Sequence, residues 1–301
     1  MDFVANFAGI LLGGLSAGTV LFIVSVGLSV TMGLMGFVNL AHGAFAMFGG
    51  YVIVLSMNRA HFGFAAALAL GFVATAAISV VLERTLYRRL YRASELDQVL
   101  FTIGLIFIFI AGAIIVVGPE SQTLQLPAAL RGQVNLGFLQ YRTYSIFLIV
   151  VGFLIGFGIS LAFERTRIGA QIRATVDNRR MAESLGINVD RLFTITFAFG
   201  SGMAGIGGGL GAEFLGLDPQ YALKYLVYFL IAVSVGGLGS VEVASADQVG
   251  KTITFTFAKP ICPGATSYFF GLASKKTHPI AGTATVSYSL GGSATTADRV
   301  P

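Results

Sequence analysis

Glu164-Arg-Thr-Arg-Ile-Gly-Ala-Gln-Ile-Arg-Ala-Thr-Val-Asp-Asn-Arg-Arg-Met-Ala-Glu-Ser-Leu-Gly186 is a charged island between two apolar runs, residues 143–163 and 192–215. A helix needs about 20 mainly apolar residues to cross a bilayer, so each run can span and the island between them must face water. It carries Arg165, Arg167, Arg173, Arg179 and Arg180. Loops rich in Lys and Arg stay on the cytoplasmic side, so the stretch points to a membrane protein and gives its direction.

The rest of the chain agrees in character. Of its 301 residues 55% are hydrophobic and 11% charged, against about 25% charged in ordinary soluble domains. The formal net charge of +5 is not a nucleic-acid footprint, because the basic residues sit in short loops beside apolar runs rather than on a polar domain. Cys262 is the single cysteine, which rules out an intrachain disulfide and a cysteine-based metal site. The first basic residue is Arg59, and the lack of a positive segment before the first apolar run predicts that this run is retained rather than cleaved.

Candidate spans fall at 8–30, 37–57, 62–83, 97–117, 143–163, 192–215 and 222–240, predicting seven crossings. Loop 84–95 holds Arg84, Arg88, Arg89 and Arg92, whereas 58–61 and 118–142 are poor in basic residues. This alternation predicts that loops 84–95 and 164–191 are cytoplasmic and the N-terminus outside. Segment 118–142, with Pro119 and Pro127, is then the longest external loop.

Glycines four apart recur inside the runs: Gly14 and Gly18, Gly152 and Gly156, Gly205 and Gly209, Gly207 and Gly211. Small residues at this spacing let helix backbones approach closely in lipid, so packing is the simplest use of each pair. Gly200-Ser-Gly202-Met-Ala-Gly205 matches a dinucleotide-binding string, but no βαβ context surrounds it. Asn39 and His42 lie in Gly36-Phe-Val-Asn-Leu-Ala-His-Gly43, inside an apolar run. Polar groups there are costly and mark functional positions. Three apart, the two share a face if the segment is helical, where they either meet a polar substrate or tie helices together, the tie being the simpler reading. Gly43, Gly49 and Gly50 offer places for a break in that helix.

No enzyme constellation stands out. His42, His61 and His278 fall on different segments, and no metal-ligand pair or nucleophile elbow is present. Asp97 and Glu213 sit at the ends of runs and read as interfacial residues. The expectation is a non-catalytic protein without metal or cofactor. In the charged island, Ile168, Ile172 and Val176 form an apolar stripe at helical spacing. Asp177 or Asn178 can cap a second short helix, which Gly186 can end. Two such helices make a knob suited to a partner's groove.

After Ser240 the sequence changes. Thirteen of the fourteen arginines precede it and four of the five lysines follow. Thr252-Ile-Thr-Phe-Thr-Phe257 and Thr283-Ala-Thr-Val-Ser-Tyr-Ser-Leu290 alternate polar and apolar residues, the period of a strand. We therefore divide the chain into a transmembrane domain, 1–240, and an atypical tail, 241–301, for which a β-rich appendage, a disordered extension and a shifted reading frame are all compatible.

Five segments carry a family resemblance: Gly27-Leu-Ser-Val-Thr-Met-Gly33, Val38-Asn-Leu-Ala-His-Gly43, Phe101-Thr-Ile-Gly104, Leu185-Gly-Ile-Asn-Val-Asp-Arg191 and Gly236-Gly-Leu-Gly-Ser240. In this order they resemble the permease subunits of ATP-binding-cassette importers for branched-chain amino acids, over residues 10–240. The resemblance implies an all-α polytopic helical bundle in the inner membrane. It also implies a second permease subunit, two cytoplasmic ATPases and an external substrate-binding protein as partners. The island would be the loop that docks on an ATPase, through Ile168, Gly169, Ile172 and Arg173 of its first helix. Arg180, Met181, Ala182, Leu185 and Gly186 of its second fill a Glu-Ala-Ala-x-x-x-Gly frame, with Arg180 in place of the acidic residue. Beyond Gly-Gly-Leu-Gly-Ser240 the tail departs from the family's apolar ending. Two further readings remain: a urea or short-amide permease of similar fold, and a passive channel or scaffold without an ATPase.

Overall fold

The computed structural model describes residues 2–35, 39–91, 93–135, 140–236, 243–249, 252–257, 280–287 and 293–300. By internal contacts the chain divides into two units, Met1–Leu238 and Gly239–Pro301. The first unit is helical. In order come α1 (Asp2–Met35), α2 (His42–Asn58), α3 (Phe64–Leu82), a π-helical turn (Glu83–Tyr87), α4 (Arg88–Leu90) and α5 (Glu95–Val116). A short antiparallel pair, β1 (Gln133–Asn135) and β2 (Gln140–Arg142), precedes α6 (Thr143–Arg165). Then follow α7 (Arg167–Asp177), α8 (Arg179–Ser184), α9 (Val189–Leu215), α10 (Tyr221–Lys224) and α11 (Leu226–Gly236).

Among the described residues five helical segments are long and apolar enough to cross a membrane: Asn6–Leu34, Phe64–Leu90, Leu96–Val116, Thr143–Arg165 and Val189–Leu215. Two of the seven expected runs are not among these five. The run 37–57 becomes α2, only 17 residues long, about 25 Å at 1.5 Å per residue and short of a bilayer's ~30 Å core. It starts late because Asn39–Ala41 form a turn instead of helix. The run 222–240 is interrupted at Tyr225, which separates α10 from α11; Tyr225 Oη donates to the Leu215 carbonyl (2.9 Å) and pins the chain there. Residues 36–38 and 237–240, which carry parts of two family segments, lie outside the described residues, as does Arg92.

Helix α9 is the axis of this unit, packed against α1, α2 and α3. Its seven glycines would each destabilise a helix in water by roughly 0.5–1 kcal/mol relative to Ala. Here they allow backbone contact. A Cβ on Gly208 would collide with the Ala46 backbone, one on Gly200 with Gly27, and one on Gly205 with the Thr75 hydroxyl. Gly207 and Gly211 meet Val24 and Val20 in the same way. Gly14 and Gly18, by contrast, have open space around them, and Gly152 packs on Thr19 of α1. Glycines at one spacing thus serve different surroundings.

The two ends of the unit are held separately. At one end, Asn58 Nδ2 donates to the Thr123 carbonyl (3.2 Å), Gln122 bridges Leu217, and Arg142 pairs with Glu213 at 2.8 Å. At the other, Leu34, Ile172, Val189, Leu192 and Phe193 form a small apolar cluster of their own.

The second unit holds two antiparallel hairpins. β3 (Val243–Val249) pairs β4 (Thr252–Phe257), with a register shift between Val243 and Ser245. β5 (Ile280–Ser287) pairs β6 (Ser293–Val300) from Ile280↔Val300 to Ser287↔Ser293. The strand expected at 252–257 is β4. That expected at 283–290 begins three residues earlier, and its last three residues lie outside the described ones.

Candidate functional site

Three groups of residues combine buried polar atoms or exposed apolar ones in the helical unit. The first is the turn before α2. Asn39 Oδ1 accepts the Ala41 N–H (3.1 Å), a side-chain turn that competes with helix formation. The same oxygen accepts the Tyr87 hydroxyl (3.0 Å), and the Asn39 carbonyl accepts the His42 N–H (3.2 Å). His42 is therefore the first residue of α2 and Asn39 precedes the helix, so the shared helix face expected for the pair is not formed. His42 Nε2 lies 3.0 Å from the Val24 carbonyl. A carbonyl can only accept, which places the proton on Nε2. Both residues are buried, and among the described residues Asn39 Nδ2 and His42 Nδ1 have no hydrogen-bond partner. Such irregular backbone at membrane depth requires enclosure by protein. The expected break at Gly43, Gly49 or Gly50 does not occur: α2 is continuous, and these glycines pack on Ala222, Gly205 and Gly208.

The second group is the knob, α7 and α8. Thr166 Oγ1 accepts the Gly169 N–H (3.1 Å) and starts α7; Asn178 Oδ1 accepts the Met181 N–H (3.0 Å) and starts α8. Gly186 takes φ +83°. Its N–H bonds the Glu183 carbonyl (3.0 Å) and the Ile187 N–H bonds that of Ala182 (3.1 Å), the paired bonds of a helix end that favours glycine. Gly169 packs against the Phe163 carbonyl, which also accepts from Arg173.

The apolar stripe divides. Ile172 turns inward to Leu34, Val189 and Phe193, and Ala182 is buried. Ile168, Val176, Met181 and Leu185 are exposed, Leu185 at 75%. A stripe on a helix that packs on the bundle cannot all face outward: Ile172 anchors the knob, and both helices carry exposed apolar residues. Arg180 is exposed. Arg179 bonds Glu183 (2.9 Å), approaches Asp190 (3.8 Å) and stands over the Phe193 ring at 5.0 Å.

The third group was missed by the sequence reading. Glu83 is fully buried at the start of the π-helical turn. One oxygen accepts from the Tyr91 hydroxyl (3.1 Å) and Arg88 Nε (3.3 Å); the other accepts from Thr194 Oγ1 of α9 (2.9 Å). Burial, and after it the Glu83 charge, push the Tyr91 phenol well above its ordinary range, so it remains a donor. In the sequence, Glu83 beside Arg84 at the end of an apolar run looks like an interfacial charge. The signal available was a carboxylate within the helical reach of Tyr87 and Tyr91 at spacings of four and eight.

Comparison with known proteins follows from the whole chain. The family described as "Branched-chain amino acid transport system / permease component" matches residues 10–292, thus continuing past Ser240 into the tail. Among curated proteins, the high-affinity branched-chain amino acid transport system permease protein BraD of Pseudomonas aeruginosa is 27% identical over 77% of this chain and 79% of its own length. LivH of Escherichia coli, of the same description, is 26% identical over 76% and 78%. A probable branched-chain amino acid transport permease protein LivH of Methanocaldococcus jannaschii is 24% identical over 76% and 74%. No solved structure matches the chain.

Proposed function

This chain belongs to the family of permease components of branched-chain amino acid transport systems, and from that premise we propose that it is the membrane subunit of an ATP-driven importer. It is a multi-pass transport permease. In the proposed complex it sits in the inner membrane with a second permease subunit. An external binding protein delivers a branched-chain or related amino acid, and cytoplasmic ATPases hydrolyse the ATP. The relatives' printed transport of branched-chain amino acids supports this substrate class.

The orientation follows from charge. One end of the unit carries Arg84, Arg88, Arg89, Arg165, Arg167, Arg173, Arg179, Arg180 and Arg191, the other Arg59, Arg131, Arg142 and Lys224. The first end is cytoplasmic on the rule that retained loops are the basic ones, which leaves the N-terminus outside. Asn39 and His42 act in the pathway by fixing the turn before α2 rather than by lining a groove, since Asn39 Oδ1 accepts from Ala41 and Tyr87 and His42 Nε2 donates to Val24. In this reading residues 1–240 carry the transport role, and the family match runs on into the tail as far as residue 292.

The observation that carries the ATPase contact is the knob's exposed apolar face on a rigid base. Met181 and Leu185 stand out while Ile172 and Ala182 anchor the helices beneath them. The test is copurification and uptake. Met181→Glu with Leu185→Glu is expected to abolish ATPase copurification and ATP-driven leucine uptake into vesicles, with the melting temperature of the isolated chain unchanged. Wild-type copurification in the double variant would remove the docking assignment. Uptake by wild type without ATP or any ATPase would leave a passive channel.

A further inference from the structure

The cytoplasmic knob and the turn at Asn39 belong to different elements, yet one unbroken set of contacts joins them. Arg179 of α8 lies over the Phe193 ring at 5.0 Å. Phe193 meets Tyr91 edge to face at 5.6 Å, and the Tyr91 hydroxyl reaches Glu83 at 3.1 Å. Glu83 also holds Thr194, one residue along α9 from Phe193, at 2.9 Å. Glu83 opens the π-helical turn, and Tyr87 closes it. Both are fully buried, and the Tyr87 hydroxyl donates to Asn39 at 3.0 Å while its ring packs on Phe197 of α9 at 4.9 Å.

A π-turn closes with i→i+5 bonds of poorer geometry than an α-helix and is common at functional sites. Arg88 N–H bonding back to the Glu83 carbonyl is such a bond, and the same N–H also reaches Leu86. A fully buried carboxylate is costly unless it is bonded, and here Glu83 accepts from Thr194 of α9 and from Arg88 and Tyr91 around α4.

We propose that the π-helical turn Glu83–Tyr87 is the relay between knob and Asn39 turn, with Glu83 as the positioning residue that locks it to α9. Displacement of α8 by a docked ATPase moves Phe193 and Tyr91, and Glu83 converts this into rotation of Tyr87 against Asn39. The inference rests on the docking role proposed above. It assigns transmission to an irregular turn that lies between the knob and the Asn39 turn, through contacts with both.

The experiment uses the complete importer, both permease subunits with ATPases and binding protein, reconstituted in proteoliposomes. It reads leucine taken up per ATP hydrolysed, a ratio that a merely structural role does not change. Glu83→Gln, Tyr91→Phe and Thr194→Val are each expected to assemble with the ATPases and hydrolyse ATP while the ratio falls, for Glu83→Gln by roughly tenfold. Thr194→Ser, which keeps the hydroxyl, is expected to restore it. A ratio within about twofold of wild type in the assembled variants overturns the relay. Should Glu83→Gln fail to assemble, the two hydroxyl variants decide by the same ratio. A wild-type complex without ATP-driven uptake defeats the functional reading itself, a result separable from normal wild-type coupling with unaffected variants.

Discussion

Helices α6 and α9 are both long and apolar enough to span, α6 the more apolar, yet 11% of the apolar stretch of the first is buried inside the protein and 78% of that of the second. α6 presents Phe153, Leu154 and Phe157 outward. α9 presents glycines to Val24, Ala46 and Thr75 and buries Phe197 between Phe45 and Tyr87. Hydrophobicity does not sort helices in lipid, because the solvent is as apolar as the side chains. What sorts them is closeness: a helix with small residues lets neighbours in, and a helix with large ones meets lipid. In water the more apolar helix would have been the buried one.

This contrast can be broken most decisively at Gly208. Gly208→Leu forces a side chain into the Ala46 backbone and is expected to leave no folded protein after detergent extraction. Gly158→Leu on α6, where nothing stands within 4 Å, should extract as wild type. Equal behaviour of the two would remove the distinction. Next in size, Phe197→Ala empties a fully enclosed site and should cost about 3–5 kcal/mol. Phe157→Ala on α6, an exposed position, should stay within about 0.5 kcal/mol. Thermal unfolding of the isolated chain in detergent compares them; a large effect at Phe157 would mean that its face is covered by protein. The smallest effect sharpens the comparison, since α6 does touch α9 at one polar point. Tyr144 Oη donates to the Leu210 carbonyl at 2.6 Å. Tyr144→Phe removes only that bond, and a loss of about 0.6–1.5 kcal/mol is expected in the same assay. No change would mean that ring packing alone holds α6 there.

The same logic separates what could be read from sequence. Long apolar runs need no partner to be recognised, so the spans at 97–117, 143–163 and 192–215 reappear as α5, α6 and α9 within a few residues. The caps at Asn178 and Gly186 act locally and were equally legible. Asn39 was legible as a polar residue in an apolar run but not as a turn, because its partners Tyr87 and Ala41 compete with helix only once Tyr87 is brought 48 residues back along the chain. Ile172 could not be told from Ile168, since periodicity gives a stripe and not its neighbour. Glu83 was hidden for the opposite reason: beside Arg84 it matches an ordinary membrane-edge charge, and only α9 turns it into a buried one.

Sequence by itself determined the apolar surroundings of this protein, its long helical spans, the strand period of the tail segments and the family, all of which depend on composition, local periodicity and motif order. Tertiary structure decided which apolar helix lies at the centre, that Asn39–Ala41 turn before α2, and that Glu83 is buried against Tyr91 and Thr194. These depend on which backbone stands opposite a glycine or a carboxylate, and no count along one strand of sequence contains that distance.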